Sequence, residues 1–130
     1  VRWIGFNPGS QLGSTIESPA YLWRADALAE NSKAAVRFLS MEPLIEQTSL
    51  AGQLSSQFSS DPSKAFRIDW VITGCESGDK ARHTPTDWYR GLRDECAANS
   101  IPFFLKQAPK TAEGITVGKG SWVKLKDGIV

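Results

Sequence analysis

Short apolar runs recur along this chain, and each one ends at polar or turn-forming residues. The runs are mostly apolar rather than alternating, which is typical of parallel strands that are buried on both faces. Segments with helical spacing of apolar residues lie between them, and this alternation predicts parallel strands joined by right-handed crossovers. The chain is therefore expected to form an α/β fold with about four parallel strands, at residues 2–6, 35–39, 68–73 and 101–106.

Two helices are predicted between these strands. The first begins at Pro19 with Ser18 as its N-cap, because proline is favoured in the first turn of a helix and serine just before it. The second is predicted to begin just after Thr86, which is its expected N-cap. Gly91 lies inside this second helix, where glycine costs about 1 kcal/mol relative to alanine, so close packing is expected there. The apolar residues on the buried face of the second helix are predicted to be Trp88, Leu92 and Cys96.

The remaining segments divide the chain into a main domain and a tail. Residues 10–19 are rich in Ser and Gly and are predicted to form a loop, whereas residues 44–60 show no decisive pattern. Glycines in the tail flank two short β-branched runs, which predicts a terminal hairpin. The expected boundaries are therefore 1–108 for the α/β domain and 109–130 for the hairpin and tail.

Charge and cysteine content exclude several classes of function. The 130 residues carry a formal net charge of +1, so no overall field favours nucleic acid or an anionic membrane. No apolar run approaches the roughly 18 residues of a membrane span. No leader pattern is found, so the cytoplasm is the expected location. Cys75 and Cys96 follow no metal-ligand spacing and are interpreted as small buried hydrophobic residues, so neither a metal site nor a disulfide scaffold is expected.

Polar residues follow the predicted strands directly, at the edge of the sheet where α/β proteins collect their functional groups. A carboxylate at this edge can bind an amine or a hydroxyl, and a lysine can bind a phosphate or a carboxylate. The structural alternatives are that each carboxylate caps a helix or pairs with Arg37 or Arg82, and that Lys106 forms an ion pair with Glu42 or Glu76. The ligand-binding candidates, expected to converge on one shallow polar pocket, are Asn7, Ser40, Glu42, Glu76, Lys106 and Gln107.

Four blocks of the sequence resemble a known family. They are AVRFLSMEPL at 35–44, DWVITGCESG at 69–78 with Ala-Arg at 81–82, WYRGLRDEC at 88–96, and PFFLKQ at 102–107. In this order and spacing, the chain resembles the C-terminal half of a family of phage and mobile-element proteins of unknown function. That family is distantly related to radical-S-adenosylmethionine enzymes. The resemblance implies a parallel half-barrel, part of a TIM-like barrel, over most of the chain.

The resemblance also implies a function, namely a ligand-binding remnant of such a barrel with no cofactor. The family's cluster-binding cysteines belong to an N-terminal half, and two separate cysteines cannot hold an iron–sulfur cluster. Half a barrel leaves sheet edges open, so a homo-oligomer or a second polypeptide that completes the sheet is expected. The expected ligand is small and anionic. Two alternatives stay open: a non-catalytic protein-interaction module, and the C-terminal fragment of a larger radical-S-adenosylmethionine-like enzyme.

Overall fold

The computed structural model describes residues 11–30, 34–55, 68–108, 115–117, 123–125 and 128–129. Its main elements are β1 (Gln11–Thr15), α1 (Trp23–Ala29), β2 (Val36–Met41), α2 (Ala51–Ser55), β3 (Trp70–Gly74), α3 (Thr86–Ala98) and β4 (Phe103–Gln107). Three short strands follow, β5 (Ile115–Val117), β6 (Val123–Leu125) and β7 (Gly128–Ile129). A 3₁₀ turn, Pro19–Tyr21, precedes α1, with Ser18 at its N-cap position but no capping hydrogen bond from the serine side chain. Within these ranges, no helix has the length and apolar character needed to cross a lipid bilayer.

The first four strands form one parallel sheet in the order in which they occur along the chain. Helix α1 connects β1 to β2, and α3 connects β3 to β4, as crossovers between parallel strands require. The prediction of an α/β fold with a four-stranded parallel sheet is therefore confirmed. The last three strands form a separate antiparallel sheet, so the predicted tail hairpin has one further strand.

The first described strand lies where the sequence predicted a loop. Strand β1 occupies part of the Ser- and Gly-rich segment 10–19 and pairs in parallel with β2 along its whole length. The residues of this segment have little intrinsic preference for strands, and pairing with a neighbouring strand overrides that preference. Gly13 lies against the ring of Phe38, its partner in β2, where a larger side chain would collide with the ring. The strand predicted at 2–6 lies outside the described residues.

One hydrophobic core holds the sheet and helices together. Alternate residues of the central strands, such as Leu39 and Val71, are fully buried. The same cluster includes side chains from α1, α2 and α3, so these helices pack on the sheet through it. Packing of the strand side chains in this core fixes the positions of the carboxyl ends of β2, β3 and β4 relative to one another. The cluster contains Ile16, Ala25, Leu28, Leu39, Met41, Leu50, Leu54, Val71, Tyr89, Leu92, Cys96 and Leu105, among others.

The buried face of α3 differs in two respects from the prediction. The helix begins at Thr86 itself, with Pro85 rather than Thr86 at the N-cap position. Tyr89 is fully buried and Trp88 is only partly buried. An interval of three residues places side chains on one helix face as well as an interval of four does, so Tyr89 lies beside Leu92. The close packing expected at Gly91 is wrong, because this residue is exposed and a Cβ atom there would meet nothing within 4 Å.

The segment without a decisive pattern, 44–60, contains α2, which is anchored by α3. The carboxylate of Glu95 accepts hydrogen bonds from the Ser49 hydroxyl and the Leu50 backbone N–H, both at 2.7 Å. These groups lie just before α2, so the carboxylate satisfies donors at the start of this helix as a local capping side chain would. The anchor comes from a residue 45 positions away, which no local sequence pattern reveals.

Candidate functional site

The carboxyl ends of β2, β3 and β4 surround an open cavity of about 640 Å³, which we call the rim cavity. Its walls come from the strand ends and from the loops that follow β2 and β3. The parallel sheet therefore brings together side chains that are far apart in the sequence, at the edge where α/β proteins place their sites. The residues that line the rim cavity are Glu42, Pro43, Cys75, Glu76, Ser77, Lys80, Ala81, Lys106 and Gln107.

An ion pair in the wall of this cavity joins the residue after β2 to β4. The ammonium Nζ of Lys106 lies 3.3 Å from Oε2 of Glu42. The Glu42 side chain is 24% exposed and that of Lys106 is 57% exposed, so the pair lies at the surface and is open to exchange with a ligand. The second carboxylate oxygen of Glu42 has no hydrogen-bond partner within the described part of the chain.

Backbone contacts fix the position of Glu42. The Leu44 N–H donates to the carbonyl of Gly74 at 2.8 Å, which ties the segment after β2 to the end of β3. The Glu42 side chain lies across Gly74, where a Cβ atom would stand 3.2 Å from Cγ of Glu42. A buried hydroxyl, that of Thr84, donates to the Leu44 carbonyl at 3.3 Å and joins the loop after β3 to the same segment. Glycine at position 74 thus leaves room for the carboxylate.

A β-bulge explains why two consecutive residues of β4 both face the rim cavity. Leu105 pairs with Thr73, but the next pair is Gln107 with Gly74, so Lys106 is the extra residue. Such a bulge redirects side chains near the end of a strand. The Gln107 carbonyl accepts the Cys75 N–H at 3.0 Å and keeps the two strands together past the irregularity. Lys106 and Gln107 consequently line the cavity together.

A second ion pair closes the loop after β3. Both carboxylate oxygens of Glu76 accept hydrogen bonds from the guanidinium of Arg82, and Oε2 also accepts the Arg82 backbone N–H at 2.9 Å. These bonds lower the pKa of Glu76 to about 2. Because the folded pKa lies below the ordinary value, the contribution of the pair to stability is present above about pH 4.5 and is lost as the pH falls towards 2. The Glu76 carboxylate is therefore ionised, and able to bind Arg82, at neutral pH.

The cysteine in the cavity wall is not a thiolate. Burial raises the pKa of the Cys75 thiol, and the nearby Glu42 and Glu76 carboxylates raise this pKa further. The thiol therefore stays protonated at neutral pH and is a weak nucleophile. Cys96 lies in the core on α3, where burial raises its pKa to about 12. Within the described ranges, no group of three or more His, Cys, Asp or Glu residues is arranged to hold a metal ion.

Three polar side chains in the wall of the rim cavity remain available for a ligand. Ser77, Lys80 and Gln107 are exposed, and their side chains have no hydrogen-bond partner among the described residues. Together they offer one cation, one hydroxyl and one amide. With the Glu42–Lys106 pair, the cavity can bind an anionic group and can also accept a hydrogen bond from a ligand amine or hydroxyl.

The structure brings together four of the six predicted ligand-binding candidates: Glu42, Glu76, Lys106 and Gln107. Ser40 lies within β2 instead, half-buried and paired with β1 and β3, and it is not part of the cavity wall. Asn7 lies outside the described residues.

Sequence reasoning missed one neighbour of these candidates in the loop after β3, Lys80, which lines the rim cavity. The ion pair between Glu76 and Arg82, one of the predicted structural alternatives, is formed. Its two residues lie six positions apart, on either side of the glycine of the ESGDKAR segment. That glycine, Gly78, has a φ of 97° and allows the chain to reverse.

Comparison with protein families identifies the family of this chain. The family DUF5131, described as a protein of unknown function, matches residues 4–128. The chain belongs to the DUF5131 family. No curated protein and no solved structure matches the chain. Membership in the DUF5131 family confirms the expectation of a family of unknown function, and the match covers all four strands of the parallel sheet and the whole rim cavity.

Proposed function

We propose that this DUF5131 domain binds a small anionic ligand in the rim cavity. The observation that carries the proposal is the composition of the wall, in which the Glu42–Lys106 pair adjoins uncommitted donors. Lys80 and Lys106 provide positive charge for a phosphate or a carboxylate. The free oxygen of Glu42 favours a ligand that also carries an amine or a hydroxyl. The favoured class therefore combines an anionic group with a hydrogen-bond donor.

The same proposal includes the architecture around the cavity. The parallel strands follow the order of the chain, as strands of a barrel do, whereas the order reverses in a doubly wound sheet. This order supports a half-barrel that is completed by a second copy or by another polypeptide. The association with phages and mobile elements, and the distant relation to radical-S-adenosylmethionine enzymes, are part of the proposal and rest on the resemblance of the four sequence blocks. A cytoplasmic location is likewise proposed from the sequence.

Calorimetric titration with two matched probes tests the proposed function. O-phosphoethanolamine carries a phosphate and an ammonium, and ethyl phosphate carries the phosphate alone. We expect the first to bind more tightly than the second, because only the first can donate to Glu42. Replacing Lys106 with Met should weaken binding of both probes by about tenfold or more, as loss of a charge-assisted hydrogen bond does. Replacing Glu42 with Gln should remove the preference for the ammonium-bearing probe.

Variants outside the cavity serve as controls for these titrations. Glu46 is exposed and does not line the cavity, so Glu46→Gln removes the same charge as Glu42→Gln without touching the wall. Likewise, Arg90→Met on α3 removes a positive charge outside the cavity wall and is the control for Lys106→Met. If the controls weaken binding as much as the cavity variants do, or if neither probe binds at millimolar concentration, the proposed function is wrong.

A second candidate function, a protein-interaction module, is favoured by one exposed patch. Trp23 is 52% exposed and Tyr21 is 38% exposed, and the Arg24 guanidinium lies 4.2 Å from the Tyr21 ring centroid and 5.7 Å from that of Trp23. Arg24 is held in place by bonds to the carbonyl of Thr15 and to Glu17. Trp, Tyr and Arg are the residues most enriched at the energetic centres of protein interfaces.

Sedimentation velocity distinguishes this second candidate. If the patch is an interface between copies, the wild-type chain should sediment as more than one chain at high micromolar concentration, and Trp23→Ser should sediment as a monomer. The control variant is Glu30→Gln, at an exposed position just after the end of α1. Leu12 is not used as a control because it is partly buried against the core. If the wild type and Trp23→Ser sediment identically, the chain does not self-associate through this patch.

A further inference from the structure

The loop after β3 borders two cavities rather than one. A second cavity of about 360 Å³ adjoins the rim cavity and has five wall residues that the rim cavity lacks, which are Gly78, Asp79, Arg82, His83 and Ala108. Both cavities share five wall residues, which are Cys75, Glu76, Ser77, Ala81 and Gln107. The loop thus contributes to the walls of both cavities, and the Glu76–Arg82 ion pair connects its two ends.

The two members of this ion pair differ in exposure. The Arg82 side chain is 64% exposed and that of Glu76 is 24% exposed. The Glu76 carboxylate uses both oxygens for Arg82, so it is not available to a ligand while the pair is formed. Exposed ion pairs contribute little free energy, so an external anion can compete for the guanidinium. A guanidinium binds phosphate in the same bidentate geometry as a carboxylate.

The neighbourhood of the pair suits such an exchange. Lys80 belongs to the same loop and has no partner among the described residues, and Lys106 lines the rim cavity that Glu76 also lines. A phosphate that binds Arg82 and displaces Glu76 would leave the Glu76 carboxylate next to a cavity wall that contains two ammonium groups. The released Glu76 carboxylate can therefore form an ion pair with one of these ammonium groups.

We propose that Arg82 is an anion-binding residue of this site, and that Glu76 occupies its guanidinium until a ligand phosphate or carboxylate displaces the Glu76 carboxylate. The inference rests on the proposed function of the rim cavity and extends it. Glu76 acts as a competitor of the anion, not as a contact to it. Removing the charge of Glu76 should accordingly strengthen anion binding, whereas removing a true ligand contact would weaken it.

Titration of the full chain with inorganic phosphate, followed by NMR of the arginine Nε–H signals, tests this inference. The Arg82 signal is identified by its loss in Arg82→Met. We expect the Arg82 signal to shift with phosphate in the wild type. In Glu76→Gln the same shift should saturate at a concentration about threefold lower, as release of an exposed ion pair gives. The control Glu46→Gln, which removes an exposed charge elsewhere, should titrate like the wild type.

The outcomes separate this inference from the proposed function. If phosphate binds and Lys106→Met weakens it, but Glu76→Gln binds equally or less tightly than wild type, the Arg82 inference is overturned and the rim cavity stands. Suppose instead that Glu76→Gln gains affinity, that Arg82→Met abolishes this gain, and that Lys106→Met has no effect. The role of Arg82 in anion binding is then confirmed, and the assignment of ligand binding to the rim cavity fails. Absence of any shift of the Arg82 signal in both wild type and Glu76→Gln overturns the inference directly.

Discussion

Replacing Leu92 with Ala is expected to lower the free energy of unfolding by about 2–5 kcal/mol, the range seen for large-to-small changes in protein cores. Leu92 is 1% exposed and lies between Tyr89 and Cys96 on the buried face of α3. The change removes apolar side-chain atoms from the cluster that joins this helix to the sheet, and the surrounding side chains can only partly fill the space. Urea unfolding followed by circular dichroism measures the loss.

The neighbouring residue provides a matched control. Gly91→Ala places alanine at an exposed position of the same helix, where the added Cβ meets nothing within 4 Å. This change should raise the free energy of unfolding by about 0.5–1 kcal/mol, because glycine is unfavourable inside a helix. Similar effects at 91 and 92 would show that α3 does not pack on the sheet through the face described above.

Replacing Gly13 with Ala is expected to destabilise the sheet by about 1–3 kcal/mol, as overpacking of a filled space does. A Cβ atom at Gly13 would lie too close to three atoms of the Phe38 ring. That ring also contacts Trp70 on β3, with ring centroids 5.4 Å apart and tilted by 37°, so it cannot move away without losing this contact. The effect is measured by the same urea titration.

A double-mutant cycle assigns the cost at Gly13 to this contact. In a Phe38→Leu background the branched but smaller side chain leaves more room, so Gly13→Ala should cost less than it does in the wild type. A coupling of about 0.5–3 kcal/mol is the usual size for residues in contact. If Gly13→Ala costs the same in both backgrounds, the ring of Phe38 is not what requires glycine at this position.

The sequence predicted the central part of the fold because those strands are mostly apolar rather than alternating. Runs such as 68–73 need no partner to be identified, since their composition already indicates burial on both faces. Strand β1 could not be found in this way. Its Ser and Gly residues form a strand only because β2 offers a parallel partner and because Gly13 accommodates the Phe38 ring, and both are tertiary effects.

The candidate site was predictable in position but only partly in its ion pairs. Parallel strands end at one edge, so the convergence of Glu42, Glu76 and Lys106 follows from the order of elements. Which carboxylate binds Lys106 depends on the bulge in β4 and on the space above Gly74, and neither is visible in the sequence. The pair between Arg82 and Glu76 was one of several structural alternatives, and the loop conformation that selects it is not visible in the sequence.

Mapping the contacts of O-phosphoethanolamine on the full chain tests the central claim most directly. Backbone amide shifts in a ¹H–¹⁵N titration report which residues meet this probe. We expect the largest saturable shifts at Glu42, at 75–81 and at 106–107, the segments that line the rim cavity, and little change on the exposed face of α3. Saturable shifts centred on any other surface, with the cavity segments unchanged, would contradict the assignment of ligand binding to the rim cavity.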